Sequence, residues 1–348
     1  MNRIAFSSAL ALLIAASALP AQQFTATKFD IGGQGFFDYL TADPATGRVF
    51  VSRGTHIMVV DGASGKVLGD ITGLKGTHGA LLVPEVGHGF TTNGGDSTST
   101  MFDLETLAVI KQIHAGKPGL DGFMYDDFTK KAMTIDHTRG GGPGTVVVID
   151  PASGDVVTSF DTRGSAPEGG VSNGKGRIFI NMEDSADVNV VDAKTWKVVD
   201  TWSVKPCEGP TGIAMDRATN RIFVGCGNTS MVLDANSGKV VAQLANGGGV
   251  DGIAFDPAEK LIYIPSGGAG NVTVVHEDTP DRYTTVATVS TMRGARTITL
   301  DTKTHTAYVF TPEFGPPPAG AAAPPAGRGR GRGPMGPQIG AWLFAIKH

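Results

Sequence analysis

Cysteine is nearly absent from this chain of 348 residues: only Cys207 and Cys226 occur. With no Cys-x-x-Cys there is neither a dithiol redox motif nor a haem-attachment motif. Charge is sparse, at 18% of residues and a formal net charge of −4. No global basic field is present to hold nucleic acid. No Gly-x-Ser-x-Gly elbow, P-loop, His-Glu-x-x-His or EF-hand loop occurs, so no standard catalytic signature is available. Gly32-Gly33-Gln34-Gly35 and Gly247-Gly248-Gly249 do not sit between a strand and a helix, which argues against dinucleotide binding. Long apolar runs are missing beyond residue 19, which argues against a membrane span in the remainder of the chain.

The start of the chain reads as an export signal. Met1-Asn2-Arg3 is short and positive, Ile4 to Leu19 carries no charge, and small residues at Ala16-Ser17-Ala18 and Leu19-Pro20-Ala21 suit cleavage. We assign residues 1–21 to the signal, with the mature protein starting between Leu19 and Gln22. No twin-arginine pair or lipobox cysteine is present, so the expectation is a soluble, monomeric protein, periplasmic or secreted.

What the chain has in abundance is glycine (49 residues) and a repeat. A hydrophobic run ending in an acid recurs as Met58-Val59-Val60-Asp61 and then at Asp103, Asp150, Asp192, Asp234 and His276, with spacings of 42, 47, 42, 42 and 42 residues. An earlier acid, as in Asp43-Pro44 before Val49-Phe50-Val51, recurs at Asp126, Asp216, Asp256 and Asp301, with Val83 and Asn173 in its place in two copies. Each unit reads as four short strands, a to d, with β-branched and aromatic residues alternating and Gly, Asp and Asn at the joints. One such sheet cannot bury both faces alone; a ring of them can. Residues 22–348 are therefore expected to form a single all-β domain, a seven-bladed β-propeller of four-stranded antiparallel blades. Phe24 to Ile31 reads as a d strand without its own blade, and Trp342 to Ile346 as a c strand lacking a d. Pairing them makes the N-terminal strand close the last blade.

Tyr263-Ile264-Pro265-Ser266 with Gly270-Asn271-Val272-Thr273-Val274 resembles the YVTN-type propeller repeat, as does Phe223-Val224-Gly225 with Asp234 to Val241. The chain is similar to YncE-like seven-bladed propellers over nearly its whole mature length, departing at Val83 and His276. No Trp-Asp dipeptide occurs, which counts against a WD40 repeat. The resemblance implies a fold and no single activity. Residues 315–338, rich in Pro, Gly and Ala with Arg328, Arg330 and Arg332, fall between strands b and c of the last blade; the composition predicts a disordered loop.

Strand a lines the central channel of a propeller. Five positions before its terminal acid, each copy carries a polar residue: Asp38, His78, Asp121, Glu168, Thr211, Asp251 and Arg296. Gly follows directly in most copies. This ring at the channel mouth is the candidate site for a small-molecule ligand, an ion or a protein partner. Asp121, Glu168, Asp251 and His78 are the candidate ligands for a divalent metal ion. Such dipeptides are also ordinary turn formers. A second ring, at the ends of strand b, comprises Arg53, Asn93, Asp136, Met182, Cys226, Ser266 and Thr311, with His56, His137, Glu183 and Asp184 close by. It reads as a mixed rim or as ordinary surface loops. Cys207 and Cys226 fall at the same end of one hairpin, where they can form a disulfide or remain separate thiols.

Three function classes follow. The leading one is a non-enzymatic exported scaffold that binds at the channel mouth. The alternative is a metal-assisted lyase or hydrolase using the acidic and histidine ring. The third is an anionic-polymer binder using the Arg-Gly loop, which three charges support only weakly.

Overall fold

The computed structural model describes residues 23–116, 119–138, 141–317 and 336–348. Residues 1–21, expected from the sequence to be an export signal, and most of the Pro/Gly/Arg-rich insertion lie outside the described residues. Seven four-stranded antiparallel sheets stand in a ring, and the chain is an all-β, seven-bladed propeller. Blade 1 runs a to d through Leu40–Asp43, Arg48–Ser52, Ile57–Asp61 and Val67–Ile71. Blade 7 takes its a, b and c strands from Ile298–Asp301, Thr306–Phe314 and Gln338–Lys347, and its d strand from Thr25–Asp30. The closing pair runs from Thr25 opposite Lys347 to Asp30 opposite Trp342. Strands b and c of blade 7 pair out to Phe314 and Gln338, so the insertion leaves the ladder beyond that rung.

The repeated acids are turn caps. Asp43 accepts hydrogen bonds from the Ala45 amide and the Thr46 hydroxyl, and Asp216 and Asp301 do the same for their own turns. Asp103 and Asp150 cap the c–d turns in the same way. Each satisfies backbone donors that the turn would otherwise leave bare. Where Val83 replaces the acid, the turn becomes a short 3-10 segment, Pro84–Val86, closed by Gly87 at φ 73°. Where Asn173 replaces it, the side-chain oxygen caps Lys175 and Arg177.

In blades 1 to 6 the c–d pairing slips by one residue, as between Val59 and Val60 opposite Gly69 and Val67. The slip is a β-bulge on each outer strand. It bends the exposed edge away from a flat template for pairing with another chain.

Among the described residues, seven hydrophobic clusters lie one between each pair of neighbouring blades. The cluster joining blades 7 and 1 holds Phe37, Val49, Val51, Phe310 and Leu343, and also Ile31, just past the closing strand. Burial thus ties both chain ends into one continuous core.

Towards the axis the a strands crowd together. A Cβ added at Gly122 would lie 2.0 Å from the Glu168 carbonyl oxygen, and one at Gly212 would lie 2.4 Å from the Gly252 carbonyl carbon. Glycine after the ring residue is therefore a spatial requirement of close backbone approach. Gly122→Ala is expected to destabilise the fold by about 2–3 kcal/mol, because backbone must move to admit the methyl. Denaturant unfolding checks this, and an unchanged midpoint would contradict it.

Candidate functional site

Around the channel mouth, Asp38, Thr211, Asp251 and Arg296 sit just before their a strands, while His78, Asp121 and Glu168 are the second residues of theirs, Thr77–Val83, Leu120–Asp126 and Pro167–Ser172. Six of these seven side chains engage charged or phenolic groups, and one does not. His78 Nδ1 lies 2.7 Å from Asp38 Oδ2 and 3.1 Å from Asp121 Oδ1. Arg296 donates from Nε to Asp251 Oδ2 at 2.5 Å, and its Nη2 is 3.5 Å from Asp38 Oδ1. Its guanidinium also covers the Phe37 ring, 4.6 Å from the centroid. Glu168 is reached from two sides: Tyr39 donates its hydroxyl to Oε1 at 2.9 Å, and His137 Nε2 lies 2.6 Å from Oε2. Thr211 instead donates to the Val250 carbonyl at 3.2 Å, tying neighbouring blades together. Thr92 and Thr297 make the same brace to the carbonyls of Asp121 and Asp38.

Two of these partners lie outside the ring of seven. Tyr39 occupies the position that is Gly in five other copies. It comes from blade 1 and reaches Glu168 of blade 4, across the axis. Its ring packs edge-on against Phe123 at 5.7 Å. The oversized residue at a glycine position was the available signal for this crossing contact. His137 follows the end of strand b of blade 3, beside the second ring, and nothing in its sequence context points to Glu168.

The electrostatics follow from burial. Asp38, Asp121 and Glu168 are each less than 9% exposed. Burial, reinforced by Asp121 and Asp251, pushes Asp38 up to about 6 against the pull of His78. Burial and the Asp121 charge push Glu168 up to about 8 against the pull of His137. Burial alone would lower His78, but the contacts to Asp121 and Asp38 outweigh it and raise it to about 10. The Glu168 contact likewise outweighs burial and lifts His137 to about 9. The floor of the mouth is a set of paired charges shielded from water.

Above the floor lies a funnel of about 760 Å³. Asp121, His137, Glu168 and Glu183 line one side, and Arg293, Arg296 and Phe314 the other, with Gly249, Gly267 and Gly268 between them. Below the floor is a smaller chamber of about 250 Å³, where Phe123, Ile213, Ile253 and Ile298 face the axis. Glu168 and Asp251 border both spaces. The Tyr39–Glu168 hydrogen bond spans the channel between them.

The structure brings Asp38, His78 and Asp121 together, and separately Asp121, His137 and Glu168. Asp251 belongs to neither group among the described residues and is held by Arg296. The second ring is a framework and not a surface rim, because all seven members are buried. Arg53 donates to the Gly32 and Gly33 carbonyls at 2.9 Å each and pins the loop after the closing strand. Asn93 bonds Thr98 and Thr100, Met182 packs in a core cluster, and Ser266 accepts the Gly247 amide. Cys226 is bonded to Cys207, with the two Cα atoms 5.5 Å apart. Thr311 lines the funnel. Of the residues near that ring, His56 faces Asp70 and Asp184 caps Ser165, while His137 and Glu183 reach the funnel.

Fold and site together define a seven-bladed propeller with a charged mouth. No family profile matches the chain, and no curated protein matches it in sequence. Solved structures do match. A chain of Kuenenia stuttgartiensis hydrazine synthase is similar at a TM-score of 0.69 and 18% identity, over 78% of this chain and 92% of that one. A chain of the mitotic checkpoint complex matches at 0.71 and 14%, over 87% and 95%. The WD40 repeats of RRP9 match at 0.74 and 9%, over 92% and 97%. At these identities the likeness is one of fold.

All four raised groups act with the same sign. Asp38 and Glu168 keep their protons in the fold above the ordinary 3.8 and 4.5, and His78 and His137 keep theirs above 6.5. The folded state therefore binds more protons than the unfolded chain, and the ring's contribution falls as pH rises from about 4 to about 10. Replacing His78 and His137 together by Asn is expected to cost roughly 2–4 kcal/mol at pH 6 and to flatten the decline between pH 6.5 and 10. Parallel pH slopes for variant and parent in denaturant unfolding would contradict the assignment.

Proposed function

We propose that this protein is an exported, YncE-like propeller that works as a non-enzymatic binding scaffold, taking a small polar ligand at its channel mouth. The carrying observation is the funnel of about 760 Å³. The Tyr39–Glu168 bond crosses the channel at its base, beside buried ion pairs. Concave sites with a few convergent polar groups suit small ligands. The lining has two poles. Arg293 and Arg296 offer guanidinium to an anionic group, and Asp121, Glu168 and Glu183 face them from the other side. The glycines between carry no side chains, so a ligand can rest against backbone. A partner protein could present the same chemistry on a loop; the similarity to a chain of the mitotic checkpoint complex supports that variant.

Export is supported by the residues 1–21 signal pattern and by the Cys207–Cys226 disulfide, which suits an oxidising compartment. No helix among the described residues is long and apolar enough to cross a membrane. We further infer a monomer whose Arg-Gly loop is a tolerated insertion.

One preparation tests both parts. Expressed in a bacterial host with its first residues intact, the protein is expected in the periplasmic fraction, with a mass that starts between Leu19 and Gln22. Thermal-shift screening of that material with amino acids, hydroxy acids and sugar phosphates is expected to yield a stabilising compound. Its effect should fall about tenfold or more in Arg293→Ala and in Glu183→Gln, as loss of a charge-assisted hydrogen bond requires. An unprocessed cytoplasmic product would sink the export reading. Stabilisation that survives both substitutions would sink the mouth as the site.

A further inference from the structure

We propose that Asp121, His137 and Glu168 form a binding site for one divalent transition-metal cation of the Zn²⁺ class, with its remaining coordination position open to the funnel. The proposal rests on the mouth being the binding site, and it replaces the Asp251 and His78 expected from the ring alignment with His137.

The geometry carries it. The three residues each turn one donor atom into a common space, with those atoms all within 4.8 Å of one another. Glu168 is only 7% exposed. Its Oε2 and His137 Nε2 stand 2.6 Å apart, a close pair in which an ion would take the place of the shared proton. All three side chains line the funnel, so a fourth position would face the larger cavity. Three protein ligands with one open position is the arrangement of an accessible zinc site.

The donor set selects the ion class. One imidazole nitrogen with two carboxylates suits zinc and its first-row neighbours. Calcium and magnesium ask for six or more oxygen ligands in all, and this set offers a nitrogen and few oxygens. The two carboxylates would neutralise a 2+ ion.

Outer contacts already fix the ligands. Tyr39 holds Glu168 through Oε1, leaving Oε2 to face His137. His78 Nδ1 sits 3.1 Å from Asp121 Oδ1, and Thr92 braces the Asp121 carbonyl. The His137 amide is anchored to the Gly119 carbonyl at 3.0 Å. Such partners set ligand orientation and affinity. The other cluster, Asp38, His78 and Asp121, is the weaker candidate. Its histidine is already shared between the two carboxylates and does not line the funnel.

The test is competition for Zn²⁺ between the metal-stripped mature protein and a chromogenic chelator, with Co²⁺ absorption as a second readout. One ion per chain is expected. His137→Ala should bind about 100-fold more weakly, and Tyr39→Phe about tenfold more weakly, as loss of a ligand and of a supporting contact require. His305→Ala, which removes a histidine paired with Asp256 elsewhere, should bind as the parent does. If His137→Ala loses its β-sheet circular dichroism, Glu168→Gln is read by the same criterion. Zinc retained at parental affinity in the ligand variant, or no binding at about 100 µM ion, overturns the proposal. In that case a small-molecule thermal shift that persists leaves the polar-ligand pocket standing, whereas failure of both measurements removes the mouth as a binding site.

Discussion

Everything at the centre of this molecule follows from the convergence of seven innermost strands on one axis. The backbones come so close that Gly122 and Gly212 have no room for a methyl group. The residues at the start of the a strands are brought close to one another around the axis. Six ionisable groups from different blades are crowded together there, largely out of water. Buried charges of one sign would be ruinous, so the arrangement is stable only as a set of pairs: His78 with Asp38 and Asp121, Arg296 with Asp251, His137 with Glu168. The ring is less a decoration of the fold than a consequence of how the blades meet.

The same convergence divides the channel. Tyr39 stands where other blades keep glycine, and blade 1 therefore sends a large side chain across to Glu168 of blade 4. Glu168 borders both the wide funnel and the smaller chamber. A single carboxylate thus meets a tyrosine from across the axis and a histidine from the neighbouring blade. Binding of a polar ligand and of a metal ion draw on the same floor. The ligand uses its two-sided charge, and the ion uses its nitrogen and oxygen donors.

The fold was legible because the repeat is local. Acids that cap turns and apolar runs that become b and c strands recur at a period of about 42 residues, and the lone strands at the two ends complete one blade. The seven ring positions were legible for the same reason, through their constant offset from the capping acid. Which of them meet was not legible. Tyr39 and Glu168 are 129 residues apart, and the contact depends on blades 1 and 4 facing each other over the axis. His137 follows strand b of blade 3, at the same end of its hairpin as Asp121, and the packing of blade 3 on blade 4 brings it to Glu168. The second ring misled in the opposite sense: mixed polar and apolar residues at strand ends look like surface loops. Arg53, Asn93 and Asp136 instead lie at 0%, 1% and 0% exposure. The shape of the funnel depends on glycines as much as on side chains, and pattern reading does not register the space they leave.

The account rests on Tyr39 meeting Glu168 across the channel. A crystal structure of the mature protein near neutral pH tests this most directly. The expected result is the Tyr39 hydroxyl oxygen at hydrogen-bonding distance from one Glu168 carboxylate oxygen, with His137 on the second oxygen. A Tyr39 ring turned out of the axis, with water running through from one face to the other, would contradict it.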